Sequence, residues 1–368
     1  MPRRAGYALI GCGSFGLFCL EQYKELEDVQ LLAVADANAE LARSVGDKFG
    51  ITAAPIDQVL ARSDIDVVHV ATPPATHRDI VLKILKAGKH VLCEKPLATR
   101  VADAKAMLDA AAGAKRVLVV NLIMRYDPLN LAVRKIIDER LLGEPIHAFF
   151  ENYAKDEPLG PQHWFWDPRQ SGGIFIEHGV HFFDLFATWL GPGEVLSASQ
   201  MHRPGNERII EQVECLCRYG QNVLTSFYHG FHQSTRMDRQ EFRIVCERGD
   251  IRLFEWLPTT LRIDATLLDS DVEKISLHLP GARVREVTRY DAEDRKAYSR
   301  HKHYEVDGLF MIEADCGMPK LALYGKCLRD LLSDQIQFIF DPGHHRILDE
   351  SAGLTSLSMA ERATRMAQ

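Results

Sequence analysis

No stretch of this 368-residue sequence is apolar for anything near the ~20 residues that a membrane-spanning helix needs, so no such helix is expected. Long basic runs are also missing and the net charge is −7, which argues against a nucleic-acid partner. Cysteine is sparse. The eight residues are scattered, and only Cys215-x-Cys217 puts two thiols on one strand face, with no second close pair to complete a four-ligand zinc site. Reduced, buried thiols in a cytoplasmic protein are the expectation. Arg3-Arg4 is followed by no apolar segment and cleavage site before Gly11, which argues against export. Internal repeats and low-complexity segments are absent. What remains is an ordinary globular composition, 46% hydrophobic and 26% charged, on a chain long enough for two domains.

The first part alternates short β-type runs (7–10, 29–35, 65–71, 89–93, 117–120) with helical periodicity (14–26, 38–49, 76–87, 100–112). Such alternation predicts a parallel sheet covered on both faces, wound as a Rossmann-like α/β domain over 1–124. The pattern then changes. A helix over 128–142, opened by Pro128, precedes strand-like runs at 146–153, 195–202, 210–219, 223–229, 241–247 and 251–257, joined by turn signals. One helix, 174–190, interrupts them, and 321–332 and 359–367 close the chain as helices. The densely charged 284–303 reads as an exposed excursion. A second α/β domain over 125–368, with a large, mainly antiparallel open sheet, is the expectation.

Gly11-x-Gly13-x-x-Gly16 follows the first strand and opens the first helix. Gly11 permits a tight turn, Gly13 lets the backbone approach a pyrophosphate, and Gly16 lets helix and strand pack closely; the helix N–H groups, with Ser14 and Phe15, then face the anion. Asp36 ends the second strand, where a carboxylate binds ribose hydroxyls and repels a 2′-phosphate, and no arginine adjoins it. NAD is therefore expected over NADP. The plainer reading of Asp36 is a cap on the following helix.

Lys95, between Glu94 and Pro96, follows a strand on the edge where open parallel sheets bind ligands. An ordinary surface turn is the plainer alternative. The sharp turn needed there predicts a cis Lys95–Pro96 bond. Glu177, His181 and Asp184 fall at helical spacing on one face. A carboxylate beside His181 would raise its pKa toward neutrality and suit it to acid–base work. A satisfied core histidine, or a metal site using His178, His181 and the two acids, is the alternative.

These motifs, with Ala71-Thr72-Pro73-Pro74-Ala75-Thr76-His77, Arg125-Tyr126-Asp127-Pro128, Trp164-Phe165-Trp166-Asp167-Pro168 and Ser171-Gly172-Gly173, resemble in order the glucose–fructose oxidoreductase and inositol dehydrogenase family (Gfo/Idh/MocA). The resemblance implies an N-terminal Rossmann domain, a bound nicotinamide cofactor, a sugar, polyol or related hydroxy substrate, and a homodimer or homotetramer joined through the open sheet. It implies that Lys95 and His181 are catalytic, that Thr72 and Pro73 line the cofactor, and that Glu94 lies at the nicotinamide end. The family usually has Asp where this chain has Glu177, and often has Asn before the arginine of the second-domain entry; here that segment is Asn121-Leu122-Ile123-Met124-Arg125.

The expected activity is NAD-dependent hydride transfer to or from a secondary alcohol, with Lys95, His181 and Glu177 at the reacting oxygen or its neighbour and no metal. Tyr153, Lys155, His163 and Trp164 are candidate substrate contacts, with ordinary packing as the alternative for each. Rival readings are a redox-neutral enzyme holding NAD tightly for elimination or epimerisation, a non-catalytic NAD-binding regulator, and a metal enzyme.

Overall fold

The computed structural model describes residues 3–156 and 159–368. The chain forms two compact units, and both are discontinuous. The first holds the chain up to Ile123 with Gln162–Asp184 and Tyr324–Glu361; the second holds Met124–Pro161, Leu185–Leu323 and Arg362–Gln368. The chain first crosses between Ile123 and Met124, and two later segments return to the first unit.

The first unit begins β1 (Ala5–Ile10), α1 (Ser14–Tyr23), β2 (Val29–Ala35), α2 (Ala39–Phe49), β3 (Thr52–Ala53), α3 (Ile56–Ala61), β4 (Val67–Val70), α4 (His77–Lys86), β5 (His90–Cys93), α5 (Val101–Ala114) and β6 (Leu118–Val120). The strands are all parallel in the order β3-β2-β1-β4-β5-β6, a doubly wound Rossmann sheet. β1 and β4 are buried at every position, as a sheet covered on both faces requires. The order reverses between β1 and β4, so the loops after these strands diverge and leave a crevice at their carboxyl ends.

The elements that follow are α6 (Pro128–Asp138), β7 (Pro145–Lys155), α7 (Pro168–Ser171), α8 (Val180–Leu190), β8 (Gly193–Arg203), β9 (Asn206–Tyr219), β10 (Val223–Gln233), β11 (Arg239–Cys246), β12 (Gly249–Phe254) and β13 (Thr260–Leu267). Then come α9 (Asp269–His278), β14 (Arg283–Arg289), β15 (Lys296–Ser299), β16 (Lys302–Glu305), β17 (Gly308–Asp315), α10 (Lys320–Phe340) and α11 (Ser351–Ala367). The second unit carries a nine-stranded sheet ordered β14-β17-β13-β12-β11-β7-β10-β9-β8, in which only the β7–β10 pair is parallel. Period-two alternation places Phe150, Phe227 and Phe242 on its covered face, where Phe186 of α8 packs 4.9 Å from the Phe227 ring.

Several sequence-based bounds shift. The helix expected over 128–142 stops at Asp138, and Arg140 then adopts φ +54. The helix expected from 174 begins as a π-turn, Phe175–Gly179. The charged excursion 284–303 contains all but the first residue of β14 and most of a small hairpin, β15–β16. β14 is exposed at every residue, so no hydrophobic alternation marks it, and its charges suit an edge strand. The closing helices run longer than expected, over Lys320–Phe340 and Ser351–Ala367.

Candidate active site

The loop after β1 has the geometry its glycines were expected to require. Gly11 has φ +103, and a Cβ there would lie 2.3 Å from the Ala71 carbonyl oxygen. A Cβ on Gly16 would lie 2.1 Å from the Gly11 oxygen, which locks α1 against β1. Gly13 differs: its φ is −64 and a Cβ would meet nothing within 4 Å. Neither dihedral strain nor packing demands glycine there, which leaves close approach of a ligand as its reason. No side chain caps the start of α1, so its first N–H groups are available to an anion. The residues present therefore fit a dinucleotide.

Asp36 accepts the Cys12 N–H at 2.7 Å and the Asn38 N–H at 2.8 Å. Asn38, not Asp36, caps α2 through bonds from Glu40 and Leu41. The plainer reading of Asp36 as the helix cap is thus replaced by an anion held at the end of β2.

A cavity of ≈ 410 Å³ opens beside this loop, and all its lining residues belong to the first unit. The loop gives Gly13, Ser14, Phe15 and Gly16; the turn after β4 gives Thr72, Pro73 and Pro74; the β5 and β6 ends give Glu94, Lys95 and Asn121; and the returning segment gives Trp164, Glu177 and His181. Gly11 and Asp36 are not on this wall. His163 is not either: its ring accepts the Phe165 N–H at 3.3 Å and caps a short turn. Tyr153 and Lys155 belong to the second unit, at odd positions of β7. Tyr153 stacks against Tyr228 at 5.2 Å and beneath Arg239 at 4.9 Å, on the sheet face opposite the buried Asn152. Of the four candidate substrate contacts, Trp164 lies on this wall.

Lys95 reaches Glu177 twice, from Nζ to Oε1 at 2.5 Å and to the backbone oxygen at 2.9 Å. The Lys95–Pro96 bond is cis. Beside it, the buried His77 ring lies between the Pro96 and Thr72 carbonyl oxygens, 2.8 Å from each, and as a neutral imidazole it donates its single N–H to one of them. Gly172 and Gly173 have φ +86 and +90, and a Cβ on Gly172 would lie 2.5 Å from Ile176. This turn starts the π-segment that presents Glu177, a geometry often found at functional sites.

The expected effect of Glu177 on His181 is reversed. Glu177 is engaged by Lys95, and His181 is held well below its ordinary value by burial, then by the positive charge of Lys95. His178 is pushed down to about 3 by burial and Lys95. His181 is therefore a neutral imidazole near pH 7, competent to accept a proton. Among the described residues, the only three metal-type donors that converge are Cys19, His69 and Glu94, so the 177–184 set does not form the metal cluster weighed above.

Burial also depresses His77, and it depresses His90 to about 4. These four imidazoles are neutral when folded and protonate near pH 6.5 when unfolded, so stability is complete above that value and is lost as pH falls below it. A Tm flat from pH 7 to 9, falling below about 6.5 with uptake of up to about four protons on unfolding, is expected by calorimetry. A Tm that rises on acidification to pH 5 contradicts it.

Sequence reasoning missed Tyr324. Its ring lies 5.4 Å from Phe18 and 6.0 Å from Phe15, and it joins the cavity wall from α10. No motif marks a tyrosine so far along the chain. It also missed a polar row on the covered face of the second unit's sheet, where Asn152 registers with His229 and Gln240 on the flanking strands.

Comparison with known proteins matches residues 5–122 to an oxidoreductase family with an NAD-binding Rossmann fold, and residues 130–252 to the GFO/IDH/MocA C-terminal domain. An inositol 2-dehydrogenase of Rhizobium meliloti is 32% identical over 185 residues, covering 50% of this chain and 54% of that protein, about half its length. A levoglucosan dehydrogenase solved with NADH and levoglucosan superposes with TM-score 0.77 at 21% identity, covering 99% of this chain and 97% of that one. A biliverdin reductase from Synechocystis, solved with NADP+ and biliverdin, superposes with TM-score 0.72 at 16% identity over 99% of both chains. The fold thus occurs with either cofactor.

Proposed function

The chain belongs to the Gfo/Idh/MocA oxidoreductase family, and on that footing we propose that it is an NAD-dependent dehydrogenase acting on a secondary alcohol, or the corresponding ketone, of a sugar, polyol or related hydroxy compound. The observation that carries this reading is that Lys95, Glu177 and His181 share one cavity wall with the dinucleotide loop.

When bound, the nicotinamide supplies the hydride acceptor or donor. The chain's own residues handle the proton and the charge. His181, neutral and buried, takes the hydroxyl proton. The Lys95 ammonium, fixed by the Oε1 and the backbone oxygen of Glu177, stabilises negative charge developing on the substrate oxygen. Glu177 acts on Lys95 and fixes its direction. Asp36 at the β2 end favours NAD, because its charge opposes a 2′-phosphate.

A homo-oligomer fits the open face of the nine-stranded sheet, where Leu196, Met201, Leu216 and Leu224 are exposed. A cytoplasmic location fits eight free cysteines, seven of them buried. No helix among the described residues is long and apolar enough to cross a membrane.

The decisive experiment is a screen of polyols, sugars and sugar acids for reduction of NAD and of NADP. Stoichiometric NADH release with at least one hydroxy compound, and tighter binding of NAD than NADP, are the expected results. Turnover of a substrate without NADH release favours the redox-neutral reading; equal or tighter NADP binding removes the assignment resting on Asp36.

A further inference from the structure

The layer of the first unit beneath the cavity contains a polar chain where a parallel sheet ordinarily buries aliphatic residues. Tyr7 of β1 and His69 of β4 are both 0% exposed, and the Tyr7 hydroxyl lies 2.7 Å from His69 Nδ1. His69 Nε2 lies 2.9 Å from Glu94 Oε1, and the Asn121 side-chain amide donates to the same oxygen at 2.7 Å. Glu94 is part of the cavity wall.

One proton arrangement satisfies every bond. The Glu94 carboxylate accepts, so His69 carries its proton on Nε2 and accepts at Nδ1, and Tyr7 donates there. Burial, with Cys19 and Glu94 nearby, pushes the Tyr7 phenol well above its ordinary value, so it remains a neutral donor. Two interior polar rings carry a desolvation cost that aliphatic side chains at the same positions would not. Glu94 joins them to the cavity wall.

We propose that Tyr7 and His69 are positioning residues that hold Glu94 as a fixed anionic wall beside the nicotinamide, and thereby favour the oxidised cofactor over the reduced one. The proposal rests on the dehydrogenase reading. Hydride transfer at Lys95 and His181 requires the ring to lie in this cavity. The oxidised ring carries a positive charge and the reduced ring none. Lys95 and Glu177 offset each other at 2.5 Å, so the net charge that the ring meets on this wall is that of Glu94. A carboxylate oxygen held by two donors keeps its distance to the ring; one left with the Asn121 amide alone rotates more freely toward water and is screened.

The test is equilibrium binding of NAD+ and of NADH, separately and without substrate, to the full chain and to Glu94→Gln, His69→Leu, His69→Gln and Tyr7→Phe. The readout is the ratio Kd(NAD+)/Kd(NADH), which a merely structural role does not move. Glu94→Gln is expected to raise the ratio about tenfold or more, equivalent to ~30 mV in the potential of the bound two-electron couple. His69→Leu is expected to raise it about three- to tenfold. His69→Gln is expected to restore it, because the amide N–H donates to Glu94 while its oxygen accepts from Tyr7. Should His69→Leu fail to fold, Tyr7→Phe removes a single oxygen and is expected to raise the ratio about two- to threefold. Variants that bind both forms with the wild-type ratio, or that weaken both equally, overturn the proposal alone. A wild-type chain that binds neither form overturns the dehydrogenase reading, and this inference with it.

Discussion

Lys95→Ala and His181→Ala are each expected to lower kcat by about 10²–10⁴-fold while changing NAD affinity by no more than a few-fold. Both groups address the substrate oxygen, whereas the glycine loop and Asp36 address the dinucleotide. The double variant is expected to lose far less than the product of the single losses, because one group cannot act on the oxygen without the other. Glu177→Asp separates the two roles considered for Glu177. The shorter side chain withdraws the carboxylate from Nζ by about one bond length and releases the 2.5 Å contact. If Glu177 positions Lys95, kcat falls; if it binds a substrate hydroxyl, KM rises instead. Full activity of both alanine variants on a verified substrate removes the mechanism.

Gly13→Val is expected to abolish measurable NAD binding, a loss of at least about 100-fold, while leaving the Tm of the cofactor-free protein within about 2 °C of wild type. The new side chain enters open space, not protein, so the fold has nothing to accommodate, but that space is where the pyrophosphate would meet the backbone. Gly16→Ala is the control with the opposite pattern. Its Cβ would lie 2.1 Å from the Gly11 oxygen, and overpacking of this kind costs about 1–3 kcal/mol, so Tm falls even without cofactor. Calorimetry together with cofactor titration reads both effects. Undiminished NAD binding by Gly13→Val would mean that the loop is only a turn.

Much of this follows from the order of residues. Strand–helix alternation up to Val120 predicted the parallel sheet, because elements covered on both faces advertise themselves by unbroken apolar runs. The glycine spacing marked the loop, and Glu94-Lys95-Pro96 and the Gly172–His181 segment marked two further parts of the cavity wall, since each is a local motif with a local geometric requirement. β14 was illegible for the converse reason: an edge strand that buries no side chain leaves no period to read.

What the sequence could not decide is which charged group meets which. Glu177 lies one helical turn from His181 in sequence, and the expected pairing was between them. The π-turn at Phe175–Gly179 and the turn after β5 instead bring Lys95 to Glu177. That contact joins two segments of the first unit that are far apart along the chain. It leaves His181 buried near positive charge and therefore neutral. Tyr324 reaches the wall, and Tyr7 and His69 reach Glu94, by the same kind of long-range closure. Local spacing fixes backbone conformation and the face a side chain points to. Burial, partner and protonation state are properties of a side chain's surroundings, and those exist only once distant segments have packed together.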